Sequence, residues 1–115
     1  MPSMPTLIFG EVLLVELPFH ERAGAKLRPV IAVLDTADDD VVVLPVTSRP
    51  SRSRFDFILV EWKAAGLALA SIARVDKIAV ISKSSIRREL GHLADSDSLL
   101  LAREICSVFC PPVAP

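Results

Sequence analysis

The sequence predicts a mainly β domain: a small antiparallel barrel or sandwich with one helix appended at its C-terminal end. Three observations carry this. Short apolar runs rich in Val, Ile and Leu recur between Gly10 and Ile81, separated by brief polar connections. Sustained helical spacing comes only near the end, where Leu99, Ala102, Ile105, Cys106 and Phe109 fall on one predicted face. The 115 residues are 51% hydrophobic, enough to bury a core, but only 5% aromatic, so Val, Leu, Ile and Ala must build it.

In chain order, Gly10 to Phe19 reads as the first strand and His20 to Leu27 as a polar loop. Arg28 to Leu34 is the second strand. Pro29 lacks an amide donor and belongs near a strand start or edge, and it holds Arg28 in an extended conformation. Asp38, Asp39 and Asp40 make a turn. Val41 to Val46 is a continuous apolar run, the signature of a strand buried on both faces. Thr47 to Arg54 is a second polar loop, and Phe55 to Val60 a strand. Lys63 to Gly66 is a helical turn closed by its glycine. Leu69 to Val75 and Ile78 to Ile81 are further strands, parted by Asp76 and Lys77. Ser82 to Leu90 reads as a short helix capped by Ser82, with Gly91 at the position after its end. A last helix opens at Asp95 or Ser96 and stops before Pro111 and Pro112. The expectation is about six strands in a single domain over 1–115, with a core at about 10–109 and flexible ends.

The formal net charge is −1, so the chain as a whole does not advertise a polyanion ligand. Two cysteines are too few for a disulfide framework, and their i, i+4 spacing beside apolar neighbours reads as helix core. The start lacks the charged region of a signal peptide, and no apolar run is long enough to span a bilayer. The expectation is a cytoplasmic protein with no membrane contact, no cofactor and no metal site.

Charge is nevertheless unevenly placed. Arg22, Lys26 and Arg28 sit in or beside the first loop, and Arg49, Arg52 and Arg54 in the second. The acids of the same window, Asp35 and Asp38 to Asp40, lie in the connection between the second and third strands. If those strands form a hairpin, its open end joins Arg28 to Thr47 with both basic loops around them, and the acidic turn lies at the other pole. Arg28 would then offer a rigid guanidinium fork suited to a phosphate, held on a stiff element. Thr47 and Ser48 add hydroxyls beside it.

Gly10-Glu11-Val12, KLRPVIAVL (Lys26 to Leu34), VVVLPVTS (Val41 to Ser48), GLALASIARVDKIAVI (Gly66 to Ile81) and IRRELGHL (Ile86 to Leu93) together resemble the MazF/PemK family of toxin ribonucleases, over about Gly10 to Phe109. The resemblance implies an SH3-like barrel of the CcdB/PemK type, a homodimer, a cognate antitoxin and metal-independent cleavage of single-stranded RNA. In that reaction the ribose 2′-OH attacks and a 2′,3′-cyclic phosphate is left. The family's catalytic arginine falls on Arg28 and its catalytic threonine or serine on Thr47, with Ser71 and Arg74 near the site. The chain departs from many members in its first loop, where HERAGAK replaces Ser-Glu-Gln-type residues, and at Arg49, where several have Gln.

Attack by a 2′-OH needs a base, an acid for the leaving oxygen and a group that stabilises charge. An arginine with a pKa above about 12 suits the last role, not the first. His20 titrates near neutrality and is the candidate proton carrier, against the simpler reading of a solvated loop histidine; His92 reads as a helix-end residue. Arg22, Lys26, Arg49, Arg52, Arg54 and Arg74 are the candidate RNA contacts. Phe19 and Phe55 flank the basic loops, where they can stack on bases or serve the core. Two non-enzymatic readings compete: a barrel of the same fold that inhibits a protein target, as gyrase-directed toxins do, and a silent module that binds RNA or a regulator.

Overall fold

Alternation along the apolar runs sorts their side chains onto two faces, and both faces are covered. The computed structural model describes residues 6–18 and 25–111. Seven strands follow in order: β1 (Glu11–Pro18), β2 (Ala25–Asp35), β3 (Asp40–Thr47), β4 (Asp56–Ile58), β5 (Ile72–Arg74), β6 (Ala79–Ser82) and β7 (Ile86–His92). One helix, α1 (Asp95–Phe109), closes the fold. The strands pair antiparallel in the order β4-β5-β3-β2-β1-β7. β6 joins the first half of β3, Asp40 to Val43, and β5 its end, Val46 and Thr47. A mostly antiparallel sheet with one C-terminal helix is the predicted class.

On one face, Leu13, Val15, Val30, Ala32, Val41 and Val43 form the barrel interior. On the other, Val12, Ile31, Leu44, Val46, Ala73 and Val75 pack with Leu59 and with Leu101 of α1. β3 contributes to both cores, as its unbroken apolar run predicted. Among the described residues, no helix is long and apolar enough to cross a membrane.

Two expectations are corrected. Ser82 to Leu90 is not a helix. Ser82 does cap a turn, accepting the Ser84 amide at 3.3 Å, but that turn is a single 3-10 turn at Lys83–Ser85. Ile86–His92 then runs as β7 along β1. Pairing with β1 gives Ile86, Arg88, Glu89, Gly91 and His92 a tertiary partner, which overrides a local helical preference. His92 accordingly ends a strand, its ring nitrogens 2.7 Å from the Leu93 carbonyl and 3.1 Å from that of Phe9.

The second correction concerns the face of α1. Leu101 is buried, and Ile105 and Val108 pack beside it. Leu99 and Phe109 are 55% and 47% exposed, and Cys106 and Cys110 are exposed, free thiols. The cysteines are therefore not core residues. The helix offers two apolar stripes, and its rotation is decided by Asp97. That carboxylate, 1% exposed, accepts the amides of Glu61 at 2.8 Å and Val60 at 3.4 Å. Asp97→Ala leaves both amides without their acceptor and is expected to cost about 2–3 kcal/mol, read as a lower urea midpoint at unchanged slope.

At the closed end of the β2–β3 hairpin, Asp35 accepts hydrogen bonds from Lys83 Nζ (2.7 Å), the Leu7 amide (2.8 Å) and the Ala37 amide (2.8 Å). Lys83 first, then the two amides, lower its pKa from 3.8 to about 2. A folded-state pKa below the ordinary value stabilises the fold above about pH 4, and the contribution is lost as pH falls towards about 2. Asp35→Asn is thus expected to melt below the parent at neutral pH, with the gap closing between about pH 4 and 2 in thermal scans.

Candidate active site

Arg28 and Thr47 are the polar ends of two apolar columns. Along β2, Arg28 follows the face of Val30 and Ala32; along β3, Thr47 follows that of Val41 and Val43. The register that pairs Val30 with Pro45 brings Arg28 opposite Thr47 at the hairpin's open end. The barrel interior is apolar, so its mouth is where these two columns can turn polar. The predicted hairpin polarity is present: acids at one end of β2 and β3, cations at the other.

The same face continues across the sheet. Thr47 pairs with Ile72 on β5, and Arg74, two residues on, shares that face. Arg74 in turn pairs with Asp56 on β4. Arg28, Thr47, Arg74 and Asp56 therefore share one face over four strands, with Arg74 and Asp56 diagonal to Thr47, level with Pro45.

Three clefts open along this face, and Thr47 and Arg49 line all of them. One, of about 290 Å³, holds Lys26, Arg28 and Ser48 against an apolar wall of Leu67, Ala68 and Leu69, with Ser71 at its floor. The second, of about 160 Å³, places Arg28 and Arg74 together. The third, of about 80 Å³, is bounded by Arg49, Arg52, Asp56 and Arg74. A larger cleft, about 690 Å³, lies at the acidic end of the hairpin, against Asp35, Asp38, Asp39 and Lys83. Its carboxylates suit no polyanion. Thr36 Oγ1 and the Asp40 amide lower the pKa of Asp38 as Lys83 does that of Asp35.

Thr47 Oγ1 accepts the Arg49 amide at 3.1 Å. That bond uses a lone pair and leaves the hydroxyl hydrogen to be given to an anion. Ser71 is 8% exposed and donates to the Leu69 carbonyl at 2.7 Å, shaping the cleft wall. Ser48, Arg49 and Arg52 are exposed around the mouth, as is Lys26. Arg54 points elsewhere: its guanidinium lies 4.7 Å from the centroid of Phe55, which spends that ring on an intramolecular cation–π contact. Trp62 packs against the second core. His20, Arg22, Phe19 and Glu21 lie outside the described residues, as do the ends 1–5 and 112–115.

Asp56 was not among the expected site residues. Its side chain is 1% exposed, with Oδ2 accepting the amides of Arg52 (2.9 Å) and Ser53 (3.1 Å) and the Ser51 hydroxyl (3.3 Å). Oδ1 faces Arg74 Nε at 3.7 Å. Burial works against its charge, but the two amides, Ser51 and Arg74 outweigh it and hold its pKa below the ordinary value. The signal in the sequence is one acid standing alone in a run of arginines, SRSRFDF.

The PemK-like, MazF-like toxin of type II toxin–antitoxin systems is the family whose model matches the chain, over residues 9–109. Solved structures of similar fold include the Mycobacterium tuberculosis toxin MazF-mt6, at 20% identity and TM-score 0.71, covering 90% of this chain and 99% of that one. An endoribonuclease from a mycobacterial species reaches TM-score 0.73 at 15% identity, covering 98% and 100%. A MazE-MazF structure from Deinococcus radiodurans gives TM-score 0.71 at 18% identity, covering 90% and 96%. No curated protein matches the chain.

Proposed function

Because the chain belongs to the PemK-like, MazF-like toxins of type II toxin–antitoxin systems, we propose that it is an endoribonuclease that cuts single-stranded RNA without a metal ion. The ribose 2′-hydroxyl gives up its proton as its oxygen bonds to the adjacent phosphorus, the bond from phosphorus to the 5′-oxygen breaks, and that oxygen takes up a proton as it leaves, so no proton is gained or lost overall. The products are a 2′,3′-cyclic phosphate and a 5′-hydroxyl. The observation that supports this best is the meeting of Arg28 and Thr47 at a basic barrel mouth.

Arg28 is the phosphate clamp and the group that offsets charge developing on the equatorial oxygens; its backbone is held by pairing with Val15 of β1, so little reorganisation accompanies the reaction. Thr47 donates its hydroxyl hydrogen to the same phosphate. Lys26, Arg49, Arg52 and Arg74 guide the flanking backbone, and Ser48 supports Thr47 from the cleft rim. His20 and Arg22 in the first loop complete the proposed set. A cognate antitoxin would block this face with an acidic or apolar segment laid across it. The proposal includes a homodimer in the cytoplasm, for which the outward Leu99, Leu100 and Phe109 of α1 offer apolar surface.

The test incubates purified protein with mixed-sequence single-stranded RNA in EDTA and reads product ends by mass spectrometry. Cyclic-phosphate and 5′-hydroxyl ends are expected. Intact RNA across many sequences would reject the enzyme.

A further inference from the structure

We propose that Asp56 is a positioning residue that assembles a second phosphate subsite, for the backbone phosphate next to the scissile one, from Arg49, Arg52 and Arg74. The inference rests on the endoribonuclease reading.

The third cleft, about 80 Å³, is of the size of one phosphate group and is bounded by three guanidinium-bearing residues. Three cations around so small a space repel one another, and nothing about a surface loop by itself holds them there. Asp56 supplies the missing constraint with its two oxygens. Oδ2 gathers the Arg52 and Ser53 amides and the Ser51 hydroxyl, which folds the second basic loop back onto β4. Oδ1 is buried, accepts no hydrogen bond from the described residues, and stands 3.7 Å from Arg74 Nε. The ion pair therefore engages the stem side of the guanidinium. Among the described residues, no hydrogen bond holds the terminal amino groups of Arg74, whose side chain is 37% exposed. Asp56 turns Arg74 outward without using the part of the fork that grips a phosphate.

The subsite adjoins the reactive pair. Thr47 and Arg49 line both this cleft and the one that holds Arg28, and Arg74 lines the cleft between. A phosphate on Arg74 and its neighbours would fix the register of the strand so that the next phosphate meets Arg28 and Thr47.

The proposal makes a prediction opposite in sign to simple charge counting. Removing a negative charge beside a polyanion site should strengthen RNA binding, by screening arguments alone. If Asp56 instead positions Arg74, Asp56→Asn weakens binding: the Asn oxygen can keep the loop amides, but its amino group then faces a cation. The measurement is fluorescence anisotropy with a short 2′-O-methyl single-stranded RNA, which cannot be cut, at a series of salt concentrations. Asp56→Asn is expected to weaken binding by about 10-fold. Arg74→Gln should do the same and should lower the salt slope by about 0.7, one phosphate contact on a single strand. Asp56→Asn added to Arg74→Gln should then change little further, whereas a purely structural role would add in both backgrounds.

Tighter or unchanged binding by Asp56→Asn overturns the proposal. Should that variant not fold, shown by circular dichroism, Arg74→Gln decides instead: an unchanged affinity and slope overturn the subsite. Parent protein that cuts RNA while these variants bind normally rejects the subsite alone. Parent protein that neither binds nor cuts RNA rejects the ribonuclease reading, and the subsite with it.

Discussion

Arg28→Ala is expected to lower the rate of RNA cleavage by about 10²–10³-fold, the cost of losing one preorganised donor to developing charge. The reason is geometric. Arg28 sits within paired β2, one residue before Pro29, and reaches the mouth shared with Thr47. A guanidinium held this way needs no rearrangement as charge accumulates on the phosphate. Arg28→Lys keeps the charge but loses the planar fork, and is expected to recover only part of the rate. Arg28 is half-exposed at the end of the barrel interior and not within either core, so the Ala variant should melt close to the parent. Single-turnover cleavage of a fixed RNA, with melting curves on the same samples, separates the two effects. A rate within about 3-fold of the parent would remove Arg28 from the chemistry.

Gly66→Ala is expected to be the most destabilising small substitution, by about 2–4 kcal/mol, with a fall in Tm of about 10 °C or more. Gly66 has φ +89°, in the left-handed region where a side chain is strained. A Cβ there would also stand 2.1 Å from the Leu90 carbonyl oxygen, which is main chain within β7 and cannot yield as a side chain would. The approach is mutual: a Cβ on Gly91 would meet the Ala65 carbonyl oxygen at 2.5 Å. The turn before Leu67 is thus seated directly on β7, and the wall of the largest basic cleft begins one residue later. Ala64→Ser, exposed in the same turn, serves as the control and should change stability by less than about 0.5 kcal/mol. Thermal melts of the three proteins check the comparison.

Much of this protein is legible from residue order. Strand periodicity located β1, β2, β3 and β6 to within a few residues, because each carries enough β-branched and aliphatic residues to declare its type locally. The hairpin between β2 and β3, with acids at its turn and cations at its open end, follows from spacing, and so does the meeting of Arg28 with Thr47. Gly66 was readable as a turn residue. The lone Asp56 among arginines was visible, but nothing in its neighbourhood says that it is buried.

The rest needed the folded chain. Ile86–His92 became a strand because β1 had an open edge to fill, and edge pairing is a long-range event that local propensity cannot anticipate. Gly91 looked like a helix terminus for the same reason, and its true duty is to let β7 touch the turn at Gly66. The rotation of α1 had two solutions at helical spacing, one through Leu99, Cys106 and Phe109 and one through Leu101, Ile105 and Val108. Asp97 selected the second by holding two amides that lie 36 and 37 residues away in sequence. The cross-strand pairing of Asp56 with Arg74 likewise joins residues on separate elements. Local periodicity says which way a side chain points relative to its neighbours in the chain; only pairing and packing between distant segments say what it then meets.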